Sequence, residues 1–151
     1  MNNTIRVTLV AVSTALLAGC GGQDAAEQAT APAEVADHLN AASGVVLASG
    51  EFEGRSDHIM TGDITITRAD DGVYVVLGEN FSLDGAPDPK LGFGNGEYLP
   101  ETKFSPLNEL TGQQVYKLPQ GVDLAEYTQV WVWCEKFNVP LGVASLTHSD
   151  A

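Results

Sequence analysis

The chain has little cysteine and little positive charge. Two of its 151 residues are cysteines, Cys20 and Cys134. They form neither Cys-X-X-Cys nor Cys-X-X-Cys-His, so a thioredoxin-like redox motif and covalent haem attachment are both excluded. Seven Lys and Arg stand against 20 Asp and Glu, a net charge of −13. Nucleic-acid phosphates need Lys and Arg, so this balance argues against a nucleic-acid binder. Three histidines, His38, His58 and His148, lie far apart and share no metal-ligand spacing. No metal site is expected. EF-hand spacing, a P-loop, G-x-S-x-G and H-E-x-x-H are all missing. Apolar runs are short as well. The one at residues 7–18 has twelve residues, against the ~20 of a spanning helix.

That run follows Arg6 and has the length of a signal-peptide apolar region. It ends in Leu17-Ala18-Gly19-Cys20, which resembles the lipobox of bacterial lipoproteins. The resemblance implies a signal peptide over residues 1–19, cleavage before Cys20, and acylation, including palmitate, of Cys20. Gly21 follows in place of the Asp that marks inner-membrane retention in Gram-negative lipoproteins. The expected location is therefore the outer membrane of a Gram-negative envelope, facing the periplasm. Each buried acyl methylene adds about 0.8 kcal/mol, so two or three chains hold a protein firmly. The mature chain then carries 6 basic and 20 acidic groups, a net charge of −14. Repelled by anionic lipid, it needs that anchor for its membrane contact.

Residues 20–43 read as the lipidated cysteine and a flexible tether rich in Ala, Gln, Glu and Asp. A coil of about 20 residues reaches roughly 25 Å. Its end, from Pro32 to Ala42, has Val35 and Leu39 at i, i+4 and is expected to form a marginal helix of two or three turns. Residues 44–151 are different: Gly is frequent, and β-branched and aromatic residues alternate with polar ones. Strands are expected at 43–54, 58–68, 73–77, 91–93, 115–118, 128–137 and 142–147. Asp71-Gly72 is a hairpin signal, residues 123–127 make one helical turn, and Pro140 separates the last two strands. About seven or eight short strands with turns between them make an all-β, antiparallel β-sandwich behind the signal peptide and tether.

The strongest strand is Val130-Trp131-Val132-Trp133-Cys134. Period two puts Val130, Val132 and Cys134 on one face and Trp131, Trp133 and Glu135 on the other. Cys134 has two readings. It is a small buried hydrophobe, as free cysteines usually are, or it is a working thiol, made more acidic by Lys136 and less so by Glu135.

From about Gly50 to Leu146 the chain resembles the DM-thirteen domain, the electron-transfer DM-thirteen family. The matching pieces are Thr61-Gly62-Asp63-Ile64-Thr65-Ile66, Gly72-Val73-Tyr74-Val75-Val76-Leu77, Phe81 and Gly85-Ala86-Pro87-Asp88. Gly112-Gln113-Gln114-Val115-Tyr116-Lys117-Leu118-Pro119 follows, then Val130 to Cys134 with Phe137, Val139, Gly142, Ala144 and Leu146. The resemblance implies a β-sandwich and makes Cys134 the candidate redox thiol or ligand for a group such as haem. Trp131, Trp133 and Phe137 are the candidate pocket around it. Against a thiol–disulfide role, no second cysteine is left to resolve a mixed disulfide. Against haem, so small a domain has little room for a deep apolar pocket.

Two functions are therefore expected. One is a lipid-anchored accessory in redox or electron transfer that works through Cys134. The other is a non-catalytic envelope binding or adhesion module with a structural Cys134, in which loops 84–90 and 94–103 meet an unidentified envelope protein. An enzyme acting on a small molecule comes third.

Overall fold

The computed structural model describes residues 33–150. The expected signal peptide, Cys20 and most of the tether lie outside them. Helix α1 spans Ala33–Ser43. Eleven strands follow: β1 Val45–Gly54, β2 Met60–Thr61, β3 Asp63–Ala69, β4 Gly72–Leu77, β5 Ser82–Leu83, β6 Pro89–Gly94, β7 Ser105–Pro106, β8 Gln114–Lys117, β9 Gln129–Cys134, β10 Val139–Ser145 and β11 Thr147–His148.

The pairing is antiparallel throughout, in the order β7-β6-β9-β10-β1-β3-β4-β8. β11 pairs beside β1, and β2 with β5 forms a separate ribbon. β1 serves two sheets. Val45 to Glu51 pair with β3, and Phe52 to Gly54 pair with β10. A strand that changes sheets turns one ribbon into two layers, the corner device of sandwiches and barrel-like folds. The all-β antiparallel expectation holds, with most of the expected strands in place.

Between the layers lies the core. Alternation sends Ile64, Ile66, Val75, Leu77, Leu91, Phe93, Val130 and Val132 inward, each no more than 1% exposed. Phe93 stacks on Tyr127 with ring centroids 5.0 Å apart, and Phe52 meets Phe81 edge-on at 5.4 Å. Near-complete burial of such side chains is the main stabilising term in a domain this size.

Three local readings are corrected. The strand expected over 58–68 is two strands, because Gly62 sits at φ +120° with Phe81 Cα 2.4 Å from where a Cβ would stand. No L-residue fits that conformation beside that neighbour. The turn between β3 and β4 falls on Asp70-Asp71, and Gly72 opens β4. Pro140 does not separate strands but lies inside β10. The register shifts between Pro140 and Gly142, and Leu141 is the extra residue there. A bulge tolerates the missing N–H of proline.

Candidate functional site

Cys134 ends β9, opposite Pro89 of β6 and Val139 of β10. β9 lies between β6 and β10 and turns Cys134 inward. Cys134 is 1% exposed and packs in the same cluster as Val130, Val132 and Leu91. Among the described residues it is the one cysteine, and it is unpaired. Its thiol donates to the Pro87 carbonyl at 3.0 Å, a bond that needs the proton on sulfur.

Pro87 belongs to the loop between β5 and β6, which lies over the sulfur. Both ends of that loop are tied down. At its start, Asp84 Oδ2 accepts from Ile59 N–H at 3.0 Å, and His58 Nδ1 lies 2.8 Å from Asp84 Oδ1. Those two contacts, the Ile59 amide first, hold the Asp84 carboxyl below its usual range. At the end of the loop, Asp88 pairs with Lys90 at 2.5 Å and its carbonyl accepts from Glu135 N–H at 3.2 Å. Asp88 stands at φ +55°, a left-handed conformation that Asp tolerates better than most residues.

The expected aromatic pocket does not form around the thiol. Period two sends Trp131 and Trp133 to the outer face of β9, away from Cys134. Trp131 is 8% exposed, and its Nε1 is buried without a hydrogen-bond partner. Trp133 stacks on Tyr98 with centroids 4.7 Å apart and planes 12° apart, and its Nε1 donates to Asn138 at 3.3 Å. Burial first, then the charges of Glu135 and Glu101, raises the Tyr98 phenol above its ordinary value. Phe137 lies in the turn after β9 and is 63% exposed, with Lys136 Nζ 5.7 Å from its ring centroid. The loop over this face also holds the ion pair Lys103–Glu135.

A haem ligated by Cys134 does not fit. Among the described residues the sulfur is buried in the hydrophobic core and donates to a main-chain carbonyl, and Cys134 lines none of the main surface hollows. His58 faces Asp84, and Met60 fills the core beside Gly142. Among the described residues no group of three or more His, Cys, Asp or Glu could hold a metal ion.

Two features have no plain signal in the sequence. One is Pro87 as the cap of the thiol, since nothing in a run of turn-formers says where a carbonyl will point. The other is a polar network that fixes α1. Asp71 Oδ2 accepts from Lys117 Nζ at 2.7 Å, from the Tyr74 hydroxyl at 2.8 Å and from Asn40 at 3.0 Å. Lys117, then Tyr74, holds the Asp71 carboxyl below its ordinary value, and Asp71 holds the Lys117 ammonium well above its own. Asn40 of α1, Asp71 of the β3–β4 turn, Tyr74 of β4 and Lys117 of β8 meet here, across a distance over which local pattern carries no information.

Comparison with curated proteins and with solved structures found no match. A family model, described as Electron transfer DM13, matches residues 51–146. It runs from within β1 to just past β10 and takes in Cys134, the Trp strand and the capping loop. The chain belongs to the electron transfer DM13 family.

Proposed function

We propose that this protein is a lipid-anchored module of the bacterial envelope, held on the outer membrane through Cys20, that serves electron transfer by binding a protein partner. In this reading Cys134 is structural and carries no electrons. The single observation behind it is the enclosure of the Cys134 sulfur, 1% exposed and donating to Pro87. A thiol exchanges with disulfides as its thiolate and needs access to do so; this one has a bonded proton and a cover. Support for the anchor comes from Leu17-Ala18-Gly19-Cys20 and Gly21. The acidic surface favours a partner with a basic face. Partner contact falls on the loops at 84–90 and 94–103.

One observation favours a second reading. The thiol bonds to a loop carbonyl, that of Pro87, and displacing this loop would break that bond. Cys134 would then be a gated thiol in a redox step, open only while the partner holds the loop aside.

Thiol titration of the native full-length chain separates the two. Alkylation of Cys134 only after denaturation is the expected result. Fast alkylation of the folded protein overturns the structural role, and alkylation accelerated by Asp84→Asn supports the gate. Mass spectrometry of the membrane fraction tests the anchor, with an acylated N-terminal Cys20 expected and an unmodified Cys20 excluding it.

A further inference from the structure

α1 does not fill the surface it covers. Outward from β1, β3, β4 and β8 point Val46, Thr65, Thr67, Tyr74, Val76 and Val115, an unusually apolar outer face for an antiparallel sheet. The helix lays Ala41 and Ala42 over it, and these small side chains leave a hollow of about 320 Å³ bounded by Val46, Val76, Val115 and Thr67. A second hollow, of about 380 Å³, adjoins it. His38, Gln113 and Val115 line both, so the two form one groove along α1.

The groove changes character along its length. Its first part is apolar. Its second part is lined by Asp37, Glu109, Asn108 and Gln114. Among the described residues no Lys or Arg lines either part. At the apolar end, Thr67 is 5% exposed and its Oγ1 has no hydrogen-bond partner among the described residues. A buried hydroxyl with no partner is rare in folded proteins. A concave apolar site with a few polar groups is also the usual form of a small-molecule pocket.

We propose that this groove binds a small amphipathic amine, its apolar body against Val46, Val76 and Val115 and its ammonium facing Asp37 and Glu109. Charge decides the class. A carboxylate or phosphate ligand would meet two acidic side chains and no cation, whereas an ammonium is attracted by both. The size of the hollow decides the scale, which is that of a single short chain or ring. This site lies on the opposite face of the sheet from Cys134 and does not depend on the role given to that residue.

Titration of the full-length chain with hexylamine, hexanoate and hexan-1-ol, followed by amide NMR shifts, tests the proposal. Hexylamine is expected to give saturable shifts at Thr65, Thr67 and Val115, and to bind about tenfold more tightly than hexanoate. Asp37→Asn combined with Glu109→Gln is expected to weaken hexylamine about fivefold and to leave hexan-1-ol unchanged. Val115→Trp, which fills the hollow, should abolish binding of both. Should that variant fail to fold, Ala42→Leu makes the same test from the helix side. Absence of saturable shifts in the groove, equal affinity for hexanoate, or an unaltered amine affinity in the double variant would each overturn the proposal.

Discussion

Outside β6, β9 and β10, Trp131 and Trp133 lie beneath the loop that carries Tyr98. Outside β3, β4 and β8, Thr67, Tyr74 and Val76 lie beneath α1. Both halves of the sheet have an apolar outer face, and each is covered by a segment from elsewhere in the chain. The covers differ in what they offer. The loop brings an aromatic ring that stacks on Trp133. It also comes so close that a Cβ on Gly94 would stand 2.0 Å from the Glu97 carbonyl and 2.6 Å from Trp131 Nε1. The helix brings alanines and is held at its side by Asp71, Lys117 and Tyr74, so it stands over the sheet without filling it. A large rigid side chain closes an apolar face. Small ones, propped by a polar anchor, leave a hollow.

The two halves should therefore respond differently to substitution. Phe93→Ala in the closed half should show the largest effect. Its ring is 1% exposed and lies against Phe104 and Tyr127, so the cost is about 3–5 kcal/mol, read from urea unfolding. Cys134→Ser comes next, at about 1–3 kcal/mol, because a shorter C–O bond pulls the donor away from the Pro87 carbonyl inside the core. An unchanged unfolding midpoint would contradict enclosure. A double-mutant cycle on Tyr98→Ala and Trp133→Ala should return a coupling of about 0.5–1.5 kcal/mol for the stacked pair. Zero coupling would mean that the loop is not a seal.

In the open half, Thr67→Val should be the mildest core change. It removes a hydroxyl that has no partner and keeps the shape, so stability should stay within about 0.5 kcal/mol or rise. A clear loss would show that the hydroxyl has a partner in solution. The smallest effect is expected at the anchors, as a pH dependence. Asp71 and Asp84 are held below the ordinary carboxylate value of 3.8, the first chiefly by Lys117 and the second chiefly by Ile59 N–H. Their contribution is present above that value and is lost as pH falls through the lowered ones. Asp71→Asn and Asp84→Asn should each flatten the acid limb of the stability curve. Lys117, raised by Asp71, contributes below its ordinary value of 10.5 and loses that contribution as pH climbs through the raised one. A scan of unfolding midpoint against pH reads both limbs.

Much of this could be read along the chain. Alternation in Ile64-Thr65-Ile66-Thr67 and in the Trp strand told inward from outward correctly, because side-chain direction in a strand is set by backbone geometry alone. The same alternation already placed Trp131 and Trp133 across the sheet from Cys134, so a pocket of those residues around the thiol conflicted with the pattern that located it. Pro140 misled because proline usually marks a break, and only the pairing of β10 with β9 shows that its missing N–H falls at a bulge. The helix at the end of the expected tether was legible from the i, i+4 spacing of Val35 and Leu39. Its docking was not, since the partners that hold Asn40 are Asp71 and, through it, Lys117, far along the chain.

Strand periodicity, turn chemistry and a near-hundred-residue family pattern thus settled the fold class and membership of the electron transfer DM13 family. The enclosure of Cys134 and the groove under α1 were decided by the tertiary structure. Each depends on how far one segment stands from another, the Pro87 loop from the sulfur and Ala41–Ala42 from the sheet. Residue order dictates which way a side chain points from its own backbone, but the gap between two surfaces exists only once both have packed.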